Sequence, residues 1–371
     1  MEANNIMSKS SDNKKKILQE LEFGQLQKNE LESLADLIKG MRSYSGDELN
    51  LRSTSKEYFH WMYFQNPAGP AIVYRAFHND KLVSSFAMAP KKMQVGSSII
   101  TVGKTMDMFT HPDYQGLGLV KKLTEMVFDD AVKSGISMWY VTPSTQSYPI
   151  FVNKWGYKES FNVIYLSALL NPPEILGNKI KPPFLGRVIG YALSIALKLS
   201  YILKPVASGY EIRHENTFGP ETDDLWNKSA SYSTALIRDK VYMTWRYMDN
   251  PDTYPILKFY KDDKIRGLII LKQTTRQGFK IGEIVDYICP EDDPQTLMAM
   301  IRHALQVLSN DGCVMAQSWA IENTRLENQL RRAGLSFKRK KINFVLSPDS
   351  VCNEFYDKNT WLLTQGDGND I

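Results

Sequence analysis

Hydrophobic and polar positions recur along this chain with two different periods, one typical of strands and one typical of helices. Residues 71–77 and 81–90, which the turn residues Asn79 and Asp80 separate, predict two strands. Residues 119–127 place apolar side chains three and four positions apart, which predicts a helix. The pattern also predicts a strand over 17–26 and a helix over 31–41. This mixture predicts an α+β fold, a mostly antiparallel sheet flanked by helices.

The chain contains an internal repeat. The segment KEYFHWMYFQNP at 56–67 recurs as KVYMTWRYMDNP at 240–251, with six of the twelve positions identical. Later positions match as well, as the pairs Pro112 with Pro290 and Gly156 with Gly334. A repeat of this length predicts two tandem domains of one fold.

The repeat divides the chain into four parts. We expect 1–15 to be a mobile polar tail, 16–170 the first domain and 209–371 the second domain. Residues 171–208 would join the domains. Their first part, 171–183, contains four prolines and predicts a linker.

The rest of the connector, 184–204, predicts an amphipathic helix. Its apolar stripe comprises Leu185, Val188, Ile189, Ala192, Leu193, Ala196, Leu199 and Leu203. Arg187 and Lys198 argue against a transmembrane span, because charges are costly near a bilayer centre. We expect the stripe to pack against protein, with peripheral contact to a membrane surface as the alternative.

Aromatic residues dominate both copies of the repeated segment, and two interpretations stay open. Tyr58 and Trp61 lie at helical spacing, which favours packing inside each domain. Aromatic rings could instead stack on the sugar faces of a carbohydrate acceptor. The retention of these residues in both copies favours packing.

Composition excludes several classes of function. The chain has 45 basic and 41 acidic residues among 371, and this small excess of +4 does not predict nucleic-acid binding. Its three cysteines, Cys289, Cys313 and Cys352, are too scattered for a disulfide framework or a metal site. Because of the cysteine spacing we expect no bound metal. The polar N-terminal segment lacks the apolar core of a secretion signal, so we expect a cytoplasmic protein.

The most informative stretch is MDMFTHPDYQGLGL at 106–119. A short apolar run with one carboxylate, Asp107, leads into a turn, and a helix begins after Gly116 and Gly118. The first amides of a helix lack internal acceptors, and the helix dipole adds positive potential there. Glycines also let the backbone approach a ligand closely. The stretch therefore predicts a site for an anion such as phosphate.

This stretch resembles the acyl-CoA loop of the GNAT superfamily of N-acyltransferases, whose pattern is Gln/Arg-x-x-Gly-x-Gly/Ala after a strand. Gln115, Gly118 and Val120 occupy the pattern positions, and Val120 departs from it because the family usually has Gly or Ala there. The resemblance implies acyl transfer, commonly acetyl, from acyl-CoA to an amine. It assigns acetyl-CoA or another acyl-CoA to Met108, Phe109, Thr110, Gln115, Gly116, Leu117, Gly118, Leu119 and Val120.

The resemblance also implies catalytic groups. Asp107 occupies the strand position where related enzymes carry a carboxylate, and we expect it either to act as general base or to orient the acceptor. The family tyrosine that acts as general acid is replaced by Val152. Tyr148 and Tyr157 lie nearby and are the candidates to replace it.

The second copy lacks these features. After Pro290 it continues with Glu291, Asp292 and Asp293, which would repel phosphate, so we expect the cofactor site only in the first copy. The C-terminal residues 361–371 join apolar residues to carboxylates. We expect Trp361–Leu363 to form a last strand and Asp367, Asp370 or the terminal carboxylate to reach the acceptor.

The repeated segment, the loop, the proline-rich connector and the tail together resemble tandem-GNAT proteins of bacterial surface-polysaccharide biosynthesis. This resemblance implies an amino-sugar acceptor on a nucleotide or lipid carrier. Two alternatives stay open: a Fem-like aminoacyl transferase, which the small net charge disfavours because it would bind tRNA, and a non-catalytic acyl-CoA-binding or scaffold protein.

Overall fold

The computed structural model of the chain describes residues 14, 16–45, 54–136, 138–202, 209–229, 232–348 and 353–368. Of the predicted N-terminal tail, every residue except Lys14 lies outside this set. The chain divides into two compact units. One comprises Met1–Lys92 with Thr101–Val141, and the other comprises Met93–Ile100 with Thr142–Ile371.

Within the described residues, the first unit contains a five-stranded sheet, three longer helices and a short helical stretch over 16–20. The strands are β1 (Glu22–Gln25), β2 (Ile72–His78), β3 (Lys81–Val95), β4 (Ser98–Thr110) and β5 (Trp139–Val141). The helices are α1 (Leu31–Ser45), α2 (Lys56–Phe64) and α3 (Leu119–Lys133). The strands follow one another in the order β1-β2-β3-β4-β5. The pairs β1–β2 and β2–β3 are antiparallel, and the pair β4–β5 is parallel. Helix α3 buries Leu119, Leu123 and Val127, the side chains whose spacing predicted it.

The strand predicted over 17–26 is only partly present. Residues 16–20 are helical, and β1 begins at Glu22. The stretch Lys-Ile-Leu-Gln-Glu consists mainly of good helix formers, and Lys16 lies 3.8 Å from Glu20 one turn later. Helix propensity and this pairing favour the helix over a continuous strand.

The second unit contains the remaining strands. They are β6 (Lys158–Leu169), β7 (Glu211–His214), β8 (Thr234–Leu236), β9 (Ile256–Lys261), β10 (Lys264–Arg276), β11 (Phe279–Ile288), β12 (Met315–Ile321), β13 (Phe337–Leu346) and β14 (Trp361–Leu362). Seven of them form a sheet in the order β13-β6-β12-β11-β10-β9-β7. Strand β8 pairs with β14 and with Met93–Val95. The presence of β14 confirms the predicted last strand.

Strand β6 determines where the compact units divide. It belongs to the first sequence repeat, yet it lies between β12 and β13 and is antiparallel to both. The division between the compact units therefore falls after Val141, whereas the repeat pattern predicted a domain boundary at residue 170.

The helices of the second unit include two that form the connector. They are α4 (Pro172–Lys179), α5 (Pro183–Ile202), α6 (Pro220–Ser229), α7 (Lys240–Tyr247), α8 (Pro294–Asn310) and α9 (Arg325–Ala333). The predicted linker over 171–183 is thus helical for most of its length. Pro172 and Pro173 stand at the first two positions of α4, where a proline removes no helical hydrogen bond.

Helix α5 has the predicted extent but not the predicted packing. Its glycines, rather than its apolar stripe, contact α4, and Leu185, Val188, Ile189 and Leu193 are exposed. For these residues the expectation that the stripe packs against protein was wrong, because spacing alone does not say which helix face meets a neighbour. The side chains of Ala196 and Leu199, and the whole of Leu203, lie outside the described part of the chain. Among the described residues, no helix combines the length and apolarity required to cross a membrane.

Candidate active site

The predicted anion loop lies between β4 and α3 in the first unit. Strand β4 ends at Thr110, a short 3-10 turn covers Pro112–Tyr114, and α3 begins at Leu119. The side chain of Gln115 donates from Nε2 to the Thr110 carbonyl at 3.2 Å. This hydrogen bond ties the loop back to the end of the strand.

The two glycines of the loop have left-handed backbone conformations. Gly116 has φ of 77° and Gly118 has φ of 79°. A Cβ added at either position would meet no described atom within 4 Å, so the backbone conformation, rather than crowding, favours glycine there. The turn at Gly118 aims the chain directly into the first turn of α3.

The start of α3 has the geometry of an anion site. Gly118 is the N-cap residue, and among the described residues no side chain caps the helix there. The amides of Leu119 and Val120 belong to the first turn, where amides have no acceptor within the helix. They and the helix dipole favour a negatively charged ligand. The side chain of Val120, where the acyl-CoA loop pattern has Gly or Ala, is partly buried, and the backbone amide of Val120 lies in this first turn.

Strand β4 runs on towards the loop beyond the end of β5. Their parallel pairing consists of Gly103 with Trp139 and Lys104 with Tyr140. Strand β5 ends at Val141, whereas β4 runs on to Thr110. The backbone of β4 over residues 106–110 therefore extends beyond the strand that pairs with it, towards the anion loop.

Asp107 lies on this extended part of β4 and is held by a buried tyrosine. The Tyr63 hydroxyl donates to Asp107 Oδ2 at 2.6 Å, and Asp107 is 8% exposed. The backbone of Asp107 has φ of 54°, an uncommon value for a residue other than glycine. Ser85 Oγ donates to its carbonyl at 3.3 Å. The carboxylate is thus fixed on a distorted strand beside the loop.

The repeated aromatic residues pack inside the first unit. Tyr58 and Trp61 are 0% and 1% exposed, and their ring centroids lie 5.3 Å apart. Buried rings offer no face to a sugar, so the stacking interpretation is wrong for this pair. The motif has a second role that the sequence analysis missed, since Tyr63 positions Asp107. The signal for it was the recurrence of the same tyrosine as Tyr247.

The second repeat preserves the tyrosine–aspartate pair in a different setting. The Tyr247 hydroxyl donates to Asp286 Oδ2 at 2.7 Å. Here Arg238 Nε also donates to Asp286, at 2.9 Å, and the Thr364 hydroxyl donates to the same carboxylate at 2.8 Å. The aspartate of the second repeat is thus an ion-pair partner inside the unit.

The C-terminal segment occupies the divergence between the parallel strands of the second repeat. Register between β11 and β12 ends at Glu283 with Gln317, although both strands continue. Gln365 Nε2 donates to Glu283 Oε2 at 3.1 Å on the β11 side. On the β12 side, Gly368 lies so close to the Trp319 ring that an added Cβ would be 2.7 Å from it.

The C-terminal tail was predicted to carry a carboxylate to the acceptor, but in the structure Asp367 pairs with a buried arginine. Asp367 is buried and accepts from Arg238 Nη2 at 2.8 Å on both oxygens. Its pKa is raised, chiefly by burial, with the charge of Asp286 adding to the effect. Asp370 and the terminal carboxylate of Ile371 lie outside the described residues.

The start of α8 in the second repeat is already capped. Asp293 Oδ1 accepts from the Thr296 amide at 3.0 Å, and Asp293 Oδ2 accepts from the Thr296 hydroxyl at 2.6 Å. A carboxylate therefore occupies the helix end that corresponds to the anion loop of the first repeat.

Tyr148 and Tyr157 both belong to the second compact unit. The Tyr148 hydroxyl donates to Glu159 Oε1 at 2.8 Å, and this hydrogen bond raises the pKa of the phenol, which makes it a weaker acid. Tyr157 is 3% exposed and packs edge-to-face on Phe151 at 5.1 Å. Among the described residues, no group of three or more His, Cys, Asp or Glu side chains has the arrangement of a metal site.

Comparison with known proteins finds a family model that resembles part of the first repeat. Residues 26–159 match the family model of the acetyltransferase (GNAT) domain. This match covers the whole anion loop, Asp107 and Tyr63. Residues 26–159 are therefore similar to a GNAT acetyltransferase domain. No curated protein matches the chain by sequence.

Solved structures resemble the chain over most of its length. N-myristoyltransferase of Saccharomyces cerevisiae with bound myristoyl-CoA has a TM-score of 0.63 at 14% identity, covering 93% of this chain and 86% of that one. A tandem GNAT protein from the clavulanic acid biosynthesis pathway has a TM-score of 0.59 at 12% identity, covering 90% and 100%. A GCN5-related N-acetyltransferase from Anabaena variabilis has a TM-score of 0.59 at 12% identity, covering 90% and 74%.

These likenesses concern the fold, because the sequence identities are low. They confirm the predicted α+β fold of two tandem GNAT-like domains.

Proposed function

We propose that the protein is an N-acyltransferase that uses acyl-CoA, commonly acetyl-CoA, and binds it at the loop of the first repeat. The observation that carries the proposal is the uncapped start of α3 directly after Gly118, beside the part of β4 that runs beyond its pairing with β5. The GNAT domain match over residues 26–159 supports the same choice of ligand.

The residues of the loop and strand would divide the binding between them. The amides from Gly116 to Val120 would hold the pyrophosphate, because they combine unpaired donors with the positive end of the helix dipole. The backbone of Met108, Phe109 and Thr110 would lie along the acyl arm. Gln115 would keep the loop in place through its hydrogen bond to Thr110.

Asp107 would act as the general base, positioned by Tyr63. The amine nitrogen of the acceptor attacks the thioester carbonyl, its proton passes to the Asp107 carboxylate, and the carbon–sulfur bond breaks to release the thiolate. A thiol has a pKa near 8.5 in free cysteine, so the thiolate can leave without a dedicated acid. This suits the surroundings of Tyr148, whose raised pKa weakens it as a proton donor.

For the acceptor, we propose the amine of an amino sugar on a nucleotide or lipid carrier. The support is the resemblance of the repeated segment, the connector and the tail to tandem-GNAT proteins of surface-polysaccharide biosynthesis. The likeness to an N-myristoyltransferase with bound myristoyl-CoA adds long acyl chains to the donors that need testing.

The first experiment is calorimetric titration of the full chain with acetyl-CoA, free CoA and myristoyl-CoA. Gly118→Asp should abolish binding, because its carboxylate would stand where the pyrophosphate binds. Gly278→Asp is the matched control, since Gly278 has φ of 76° and equally open surroundings in the hairpin between β10 and β11. It should bind as the wild type does.

Two outcomes would refute the cofactor site: no binding at millimolar ligand, or equal loss of binding in both variants. An acceptor panel of amino sugars, nucleotide-linked amino sugars and peptide amines, followed by release of the CoA thiol, then tests transfer. Binding without transfer to any amine would favour the non-catalytic alternative, and transfer restricted to peptide amines would refute the amino-sugar acceptor.

A further inference from the structure

Helix α5 packs on α4 through small residues. A Cβ added at Gly186 would lie 2.2 Å from the Leu176 carbonyl oxygen, and one at Gly190 would lie 2.4 Å from Pro173 Cα. The two helices therefore cross almost in backbone contact. Asn171, at the start of α4, donates to the Cys313 carbonyl at 2.6 Å and so joins this hairpin to its unit.

The opposite side of α5 is apolar and exposed. Phe184, Val188, Tyr191 and Ile195 follow one another at intervals of four, three and four residues, so they share one face, and they are 67%, 59%, 62% and 61% exposed. We call these four residues the α5 apolar face. Gly186 and Gly190 lie on the opposite face, which contacts α4. The helix therefore packs on its own unit through its small residues, and its large apolar side chains face away from α4.

The concentration of exposed apolar side chains distinguishes α5 from the rest of the described chain. Of the thirteen exposed large hydrophobic residues, seven lie within the twelve residues from Phe184 to Ile195. Isolated exposed hydrophobics are ordinary on protein surfaces, whereas a contiguous patch marks an interaction site.

The charges around the apolar face favour an anionic partner. Lys179, Lys181 and Arg187 are exposed at the hairpin turn and the first part of α5, and Glu174 is the only acidic residue between Pro172 and Ile202. A second copy of the chain would bring like charges together across a symmetric contact. Anionic headgroups would neutralise them, while the acyl region would accept the apolar side chains.

We propose that the α4–α5 hairpin binds the surface of a bilayer that contains anionic lipids. Helix α5 would lie in the plane of the interface with its apolar face below the headgroups. Phe184 and Tyr191 suit this position, since aromatic residues are enriched at membrane–water interfaces. The proposal does not rest on the proposed acyl transfer, because lipid binding is measured without turnover.

The test is flotation of the full chain with vesicles of phosphatidylcholine alone or mixed with phosphatidylglycerol. The wild type should bind the mixed vesicles. The double variant Val188→Ser/Ile195→Ser should bind them at least about tenfold more weakly, because it removes apolar groups buried in the interface. The matched control Ile99→Ser/Val241→Ser removes two side chains that are 65% and 61% exposed elsewhere, and it should bind like the wild type.

A second pair of variants tests the charges. Lys181→Gln/Arg187→Gln should weaken binding to mixed vesicles by about thirty-fold at low salt, and it should leave any binding to phosphatidylcholine unchanged. Circular dichroism verifies that each variant is folded. Absence of vesicle binding by the folded wild type, or equal losses in the apolar variant and its control, would overturn the proposal. A dimer that Val188→Ser/Ile195→Ser dissociates, without vesicle binding, would assign the face to a second copy instead.

Discussion

Replacing Arg238 by methionine should destabilise the second unit more than any ordinary loss of a surface charge. The guanidinium is 0% exposed and donates to Asp286, to both oxygens of Asp367, to the Thr364 hydroxyl and to the Leu236 carbonyl. Methionine fills a similar volume but supplies none of these donors. Two buried carboxylates would then lack their cation.

The magnitude follows from burial. Removing one partner of a buried ion pair typically costs about 3–5 kcal/mol, because the remaining charge stays desolvated. For a cooperative unit of this size, that corresponds to a decrease in Tm of about 6–10 °C. The side chain of Thr364 would also lose a donor, which makes the upper half of this range the expected result.

The effect should depend on pH in a direction that the structure determines. The pKa of Asp367 is raised in the folded protein, mainly by burial, so its contribution to stability is present at low pH and lost as the pH rises through the folded pKa. Without Arg238 that pKa rises further. The stability difference between wild type and variant should therefore be larger at pH 8 than at pH 5.

Chemical denaturation followed by circular dichroism at both pH values measures this difference. Arg213→Met is the matched control, since Arg213 forms an exposed ion pair with Glu211 at 2.6 Å and should be far less costly to replace. A loss below about 1 kcal/mol for Arg238→Met, or a loss equal to that of the control, would contradict the role assigned to this cluster. A difference that grows towards low pH would contradict the electrostatic explanation.

Three further predictions concern single side chains. Asp107→Asn, which tolerates the left-handed backbone, should lower kcat by about 10²–10⁴ with acyl-CoA affinity retained; unchanged turnover would exclude the carboxylate as base. Tyr63→Phe should lower kcat by about tenfold through Asp107, whereas Tyr247→Phe, which removes the equivalent bond of the other repeat, should leave kcat unchanged; steady-state kinetics distinguishes them. Burial raises the pKa of Glu283 from the ordinary range of a glutamate to about 7, so wild-type stability should fall as the pH rises through that interval, and Glu283→Gln should lack this fall in denaturation titrations.

Local features of this protein were predictable because they depend on neighbours in the chain. The loop from Gln115 to Val120 is recognisable from its glycines and the apolar spacing after them, since helix starts depend on residues within one turn. The repeat at 56–67 and 240–251 likewise predicted two domains of one fold. The four prolines of 171–183 predicted a linker, but proline is also compatible with a first helical turn, and a helix begins at Pro172.

The arrangement of the candidate site was only partly predictable. Asp107 was recognisable as a carboxylate on the strand before the loop. Its partner Tyr63 is 44 residues away, in a segment whose pattern predicts residues that pack in the core. The hydrogen bond depends on how α2 meets β4, and apolar periodicity says nothing about that contact.

The sequence by itself thus determined most of the elements, the duplication and the glycine loop before α3, all of which are encoded by local conformation and pattern. Tertiary structure decided three other matters: the pairing of β6 with β12 and β13, the exposure of the α5 apolar face, and the insertion of the C-terminal segment beside β11. The last brings Arg238 and Asp367 together across 129 residues. Such contacts join residues that are far apart in the chain and depend on the burial of charge in the folded protein. Neither the contact nor its contribution to stability can therefore be derived from local sequence.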